Sequence, residues 1–174
     1  ERERLKRFPL DSLDIVDLRD AIDSAAFERA KQIDTEKTYI AFISDFPTAS
    51  QQTMAVSLRN KAAYRDALAE NNFQAFKDFI AKYPDSEEVI EANRKYHELL
   101  FLDITKDKQL ASYKRYLKEY HNTVHAVEAE RNIFEISTAD GGIDNYLSFI
   151  REYPNGRFTR RANGILFHLL SEDQ

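Results

Sequence analysis

In a 174-residue chain without cysteine, the four histidines are the first place to look for chemistry. His121 and His125 stand four apart, and Glu128 and Glu130 follow them. Two imidazoles and a carboxylate on adjoining helical turns are a donor set suited to zinc. A catalytic zinc takes three protein ligands, however, and spacing holds only the histidine pair here. The ordinary reading is that His121 lies in a turn, that His125 opens a helix, and that His97 and His168 are structural or solvated. Neither a metal nor a cofactor is expected. Acidic pairs such as Glu87 and Glu88, or Asp103 and Asp107, arise by chance among thirty carboxylates. Nothing places one in a dry pocket, where its pKa would be tuned for acid–base work. The sequence also lacks a Gly-rich phosphate loop, a Gly-x-Ser-x-Gly elbow and a His-Glu-x-x-His helix. No catalytic residue is expected, and the chain reads as a non-enzyme.

Composition narrows the remaining classes. A formal charge of -5, with 43% apolar and 32% charged residues, belongs to a globular domain and argues against a nucleic-acid binder. No run approaches the roughly 18 apolar residues of a membrane span. The opening Glu1-Arg2-Glu3-Arg4 has neither an initiator methionine nor a signal-peptide core, so the chain reads as a fragment or a processed form. Four glycines and four prolines leave few tight turns, which favours an all-α fold over hairpins.

One pattern would position any functional side chain. Phe76, Phe79, Ile80, Tyr83 and Pro84 place apolar residues at i, i+3, i+4 and i+7 and then a proline. The same pattern occupies Tyr39 to Pro47 and Tyr146 to Pro154, and it recurs at Tyr113 to Tyr120 with His121 in place of proline. Such spacing predicts a short helix with one aromatic stripe and a stop. Twelve residues before each leading aromatic stands another aromatic, namely Phe27, Tyr64, Phe101 and Phe134. Eight residues after each proline position stands Ala55, Ala92, Ala129 or Ala162, small enough for close helix approach. Each copy therefore pairs a short helix with a longer one. The longer helices are expected to start from caps among Thr48, Ser50, Asp85, Ser86, Asn122, Thr123 and Asn155.

The leading aromatics are 37, 37 and 33 residues apart, and a loss of four is close to one helical turn. Periods of this size mark stacked arrays in which neighbours complete each other's cores. The expected fold is all-α, a right-handed superhelix of stacked antiparallel helix pairs. It forms a single domain over 1–174: a solvated lead-in at 1–9, N-terminal helices at 10–34, and repeats at 36–72, 73–109, 110–142 and 143–171. Asp140-Gly141-Gly142 should turn the third repeat into the fourth.

Phe79 to Ser86 and Phe149 to Gly156 carry a likeness to a known family. Over residues 24–170 the chain resembles tetratricopeptide-like repeats, in particular those of bacterial outer-membrane assembly lipoproteins. It lacks the tryptophan and the Leu-Gly pair of the standard consensus. The resemblance implies a protein-binding adaptor, and an envelope or periplasmic setting if a signal or lipid anchor precedes these residues. It also implies that positions one and five after each leading aromatic line a concave face: Ile40 and Ser44, Lys77 and Ala81, Lys114 and Lys118, Leu147 and Arg151. Lys77, Lys114, Lys118 and Arg151, flanked by Leu147, would then hold an acidic or C-terminal carboxylate segment of a partner protein. The plainer alternative is solubilising surface charge. The rival functions are a structural, self-associating segment and a regulatory appendage of a larger protein.

Overall fold

The computed structural model describes residues 12–172. Among them there are nine α-helices and no strand. They are α1 (Ser12–Ile33), α2 (Glu36–Asp45), α3 (Gln52–Glu70), α4 (Phe73–Lys82), α5 (Val89–Ile104), α6 (Leu110–Glu119), α7 (Ala126–Ser137), α8 (Ile143–Glu152) and α9 (Thr159–Glu172). The lead-in at 1–9 lies outside the described residues.

The four aromatic segments each form a ten-residue helix, α2, α4, α6 and α8. Two expectations fail. The N-terminal helices foreseen over 10–34 are one continuous α1, because neither glycine nor proline interrupts Ser12 to Ile33 and Ser24 alone does not stop a helix. At α3 and α7 the expected caps also do not cap the longer helix. The N-cap positions of α3 and α7 are Gln51 and His125, and neither makes a side-chain cap bond.

What precedes each longer helix is instead a repeated backbone turn. Ser86 N–H donates to the Tyr83 carbonyl and Val89 N–H to the Ser86 carbonyl. The same two bonds join Ala49 to Phe46 and Gln52 to Ala49, Thr123 to Tyr120 and Ala126 to Thr123, and Gly156 to Tyr153 and Thr159 to Gly156. These turns meet their own backbone needs, so a side-chain cap is unnecessary.

The other junction also recurs. Asp34, Asn71, Lys108 and Gly141, each five residues before a leading aromatic, take positive φ of 50°, 47°, 54° and 70°. Glycine, asparagine and aspartate tolerate this left-handed conformation, whereas lysine pays a steric penalty. Local caps then start the short helices. Thr35 and Thr38 form a reciprocal capping box on α2, and Asn72 Oδ1 accepts from Ala75 N–H at 2.9 Å on α4. At α6 the role passes to Asp107, which accepts from Gln109 N–H at 3.0 Å and from Ser112 Oγ at 2.8 Å.

The described residues fall into two compact units, divided within α5 between Asn93 and Arg94. In the first, α1 packs on α2, α2 on α3 and α3 on α4. Its core gathers Phe27, Ala30, Tyr39, Phe42, Ala55 and Ala62. In the second, α6 packs on α7, α7 on α8 and α8 on α9, around Phe101, Tyr113, Tyr116, Ile133, Phe134, Tyr146 and Phe149. The four alanines Ala55, Ala92, Ala129 and Ala162 are each fully buried.

Both cores repeat one ring contact. The aromatic twelve residues upstream meets the ring three residues after the leading aromatic: Phe27 on Phe42 at 5.2 Å, Tyr64 on Phe79 at 5.5 Å, Phe101 on Tyr116 at 4.9 Å, and Phe134 on Phe149 at 5.1 Å. That second ring in turn meets the one before the proline position at 5.3, 5.8, 5.2 and 5.1 Å. Such pairs add about 0.5–1.5 kcal/mol beyond their burial. Phe167 is next in the upstream series and is 70% exposed.

Phe134→Ala is expected to cost about 3–5 kcal/mol, as deletion of a buried ring does. Phe167→Ala should stay within about 0.5 kcal/mol, as at other surface positions. Urea denaturation of the two variants checks the contrast. By the same measurement Lys108→Gly should stabilise by about 1 kcal/mol, because it removes the left-handed penalty.

Candidate protein-binding face

The sequence-predicted cations divide between the units. Lys77 projects from α4 in the first and is exposed. Lys114 and Lys118 lie on α6, and Leu147 and Arg151 on α8, in the second unit. Lys118 and Arg151 are exposed, and Leu147 is 41% exposed.

Lys114 differs from the other three cations. Its Nζ donates to Glu152 Oε1 at 2.7 Å and to Oε2 at 3.0 Å, which ties α6 to the end of α8. It also lies 5.9 Å from the centre of the Tyr153 ring. The hydrogen bond from Lys114 holds the Glu152 carboxyl below its usual pKa against the opposing effect of burial. Burial and the adjacent Glu152 carboxylate push the Tyr153 hydroxyl pKa up. Both ends of this bridge are substantially exposed, so it contributes at most about 1 kcal/mol. Its effect on charge is larger, because Lys114 is locally neutralised. Lys77, Lys118 and Arg151 make no ion pair with any described residue. Beneath the bridge, Leu110, Asn145, Ser148 and Phe149 line a cleft of about 310 Å³ with Lys114 and Glu152 at its rim.

The first unit carries a bridge that sequence reasoning missed. Glu36, at the start of α2, accepts from Lys82 Nζ at 2.5 Å and from the Tyr83 hydroxyl, both at the end of α4. The Arg59 guanidinium stands 4.5 Å over the Tyr83 ring. Burial acts to raise the Glu36 pKa, but the bonds from Lys82 and Tyr83 outweigh it and hold the carboxyl low. A second set joins α1's end to α3: Asp34 accepts from Arg65 Nη1 at 2.7 Å and from the Tyr39 hydroxyl at 2.8 Å. Apart from Tyr39, five residues from Asp34, these partners of Asp34 and Glu36 lie 31 to 47 residues away and leave no local spacing signal.

The histidines fall apart as a ligand set. The His125 ring stacks on Phe101, 5.0 Å away and 8° from parallel, just as Phe158 stacks on Phe134 at 5.6 Å. His125 thus takes the place of a packing aromatic, and its Nδ1 lies 3.6 Å from Glu128 Oε2. His121 is exposed, and Glu130 faces Arg157 Nε at 3.2 Å. No group of three or more His, Cys, Asp or Glu able to hold a metal occurs among the described residues. His97 Nδ1 is buried and accepts no hydrogen bond. Burial, and to a smaller degree His125, push the His97 pKa below 6.5.

No protein-family model matches this chain, and no curated protein matches it. None of the described helices is long and apolar enough to cross a membrane. The site therefore has to be read from its own geometry.

The depressed His97 pKa fixes a pH dependence. The unfolded chain takes up this proton near pH 6.5 and the folded chain only at lower pH, so His97 contributes stability above pH 6.5 that is lost as pH falls toward its folded pKa. The lowered carboxylates Asp34, Glu36 and Glu152 lose their contribution only below about pH 4.5 and stay silent in that window. The Tm should fall between pH 7.5 and 5.5, and His97→Gln should flatten that slope. Scanning calorimetry across the interval measures both.

Proposed function

We propose that this chain is a non-enzymatic protein-interaction module. In this reading its helix pairs are of the tetratricopeptide-like kind and stack antiparallel in a right-handed superhelix. The support for the architecture is recurrence: one ring contact, one backbone turn and one left-handed junction each occur four times at matching offsets. The bacterial envelope setting rests on the resemblance in sequence alone.

The observation that carries the binding reading is the state of the cations in the second unit. Lys118 on α6 and Arg151 on α8 are exposed without an ion pair to any described residue, and Leu147 is exposed one turn before Arg151, in a chain with net charge -5. An acidic or C-terminal carboxylate segment would find two free cations and one apolar contact there. Lys114 would join them by exchanging Glu152 for the ligand carboxylate. Lys77 offers the same chemistry in the first unit.

Binding of a fluorescent acidic peptide with a free C-terminal carboxylate, followed by anisotropy, tests this reading. Lys118→Glu and Arg151→Glu should each weaken it about tenfold or more, the effect of losing one charge-assisted hydrogen bond. Glu152→Gln, which frees Lys114, should strengthen it severalfold. Indifference to all three substitutions would leave the cations as solubilising charge.

A further inference from the structure

The last described helix, α9, is built like the longer helices before it, yet one face of it lies open. Thr105 Oγ1 donates to the Phe101 carbonyl at 2.7 Å and Thr138 Oγ1 to the Phe134 carbonyl at 2.8 Å, each four residues after its aromatic. Ser171 Oγ makes the same bond to the Phe167 carbonyl at 2.8 Å. Phe167 thus shares the backbone setting of Phe101 and Phe134 as well as their spacing. Those two rings are 4% and 3% exposed, whereas Phe167 is 70% exposed. The difference runs along the whole helix face, since residues three and four apart share a side. Three residues on, Ala30 and Ala67 are buried and Ile104 and Ser137 half-buried, but Leu170 is exposed. Four residues back, Asp23 and Asn60 are buried and His97 and Glu130 half-buried, but Asn163 is exposed.

On α1, α3, α5 and α7 the upstream ring meets the same kind of partner each time. It is the ten-residue helix that follows, whose ring three places after the leading aromatic lies 5.2, 5.5, 4.9 or 5.1 Å from the upstream ring. We infer that the α9 face of Asn163, Phe167 and Leu170 is a docking site for a short amphipathic helix of a partner protein, with aromatics at i, i+3 and i+7 and the i+3 ring on Phe167. Burial of Phe167 and Leu170 drives the association, and the ring pair sets its orientation. A second copy of this chain does not offer that helix. Its own short helices already bury the ring that docking needs, at Phe42, Phe79, Tyr116 and Phe149. The surface is on α9 and takes an apolar ligand, whereas Lys118 and Arg151 lie on α6 and α8, so it stands independently of the acidic-segment reading above.

The probe is a labelled synthetic peptide of residues 143–155, which carries Tyr146, Phe149 and Tyr153, titrated against the intact 174-residue protein. Saturable binding is expected. Phe167→Ala should weaken it about tenfold, and Leu170→Lys should do the same, while both proteins keep the urea midpoint of the wild type. The peptide bearing Phe149→Ala should also bind the wild type about tenfold more weakly, yet lose little more on the Phe167→Ala protein, because the two rings form one contact. The inference is overturned if the peptide does not saturate, if binding ignores both Phe167→Ala and Leu170→Lys, or if the effects of Phe149→Ala and Phe167→Ala simply multiply. It is equally overturned if light scattering shows the protein alone to be a dimer that Phe167→Ala dissolves, since the occupant is then a second copy.

Discussion

The contact on which most of this fold depends is the ring pair that locks each longer helix to the short helix after it. Its four instances keep centroid distances between 4.9 and 5.5 Å although the residues vary between phenylalanine and tyrosine. A ten-residue helix is too short to be stable alone in water, because nucleation costs more than so few backbone bonds return. The short helices therefore exist because their aromatic stripes are covered. Phe167 shows the converse: it holds the same place in the series, the ring beside it is only that of its chain neighbour His168 at 6.2 Å, and it stays exposed.

Around that contact the backbone repeats itself more faithfully than the side chains do. The left-handed residue before each short helix is Asp34, Asn71, Lys108 or Gly141. Only the glycine announces such a conformation in sequence, and aspartate or asparagine merely permits it. Lysine gives no hint, and what the exposed Lys108 makes is the local turn bond from its N–H to the Thr105 carbonyl at 2.9 Å. The turn before each longer helix is likewise encoded by hydrogen bonds between main-chain atoms, and Ala49, Ser86, Thr123 and Gly156 fill one position with unlike residues. The polar residues in those turns looked like caps because cap residues and turn residues are drawn from the same small set.

The helices were legible because apolar spacing is a local property. Every short helix lies where the aromatic stripe put it, and the sixteen-residue α5 and twelve-residue α7 absorb the loss of four residues without disturbing Ala92 or Ala129. The boundary between Ser24 and the preceding helix was misread for the opposite reason: a plausible cap was present, but nothing broke the chain before it. The candidate site was legible only as a set of exposed positions. Sequence could place Lys114 on the surface beside Lys118, but it could not foresee Glu152, 38 residues away, taking up its charge. His125 is a similar case. Spacing made it a metal candidate, and the ring it stacks on, Phe101, made it an aromatic substitute.

The ion pairs that join successive short helices set which surfaces remain open. In the first unit the acid belongs to the earlier helix and the base to the later, Glu36 to Lys82; in the second the order is reversed, Lys114 to Glu152. Neither pair adds much stability, since exposed bridges are worth little. What they fix is pairing, because a short helix offered to the wrong groove would bring like charges together, which costs more than a correct pair returns. Read this way, the surface charges on the short helices do two things. Those already matched hold neighbours in order, as Lys114 and Lys82 do. Those left unmatched, Lys77, Lys118 and Arg151 among them, stay exposed to solvent.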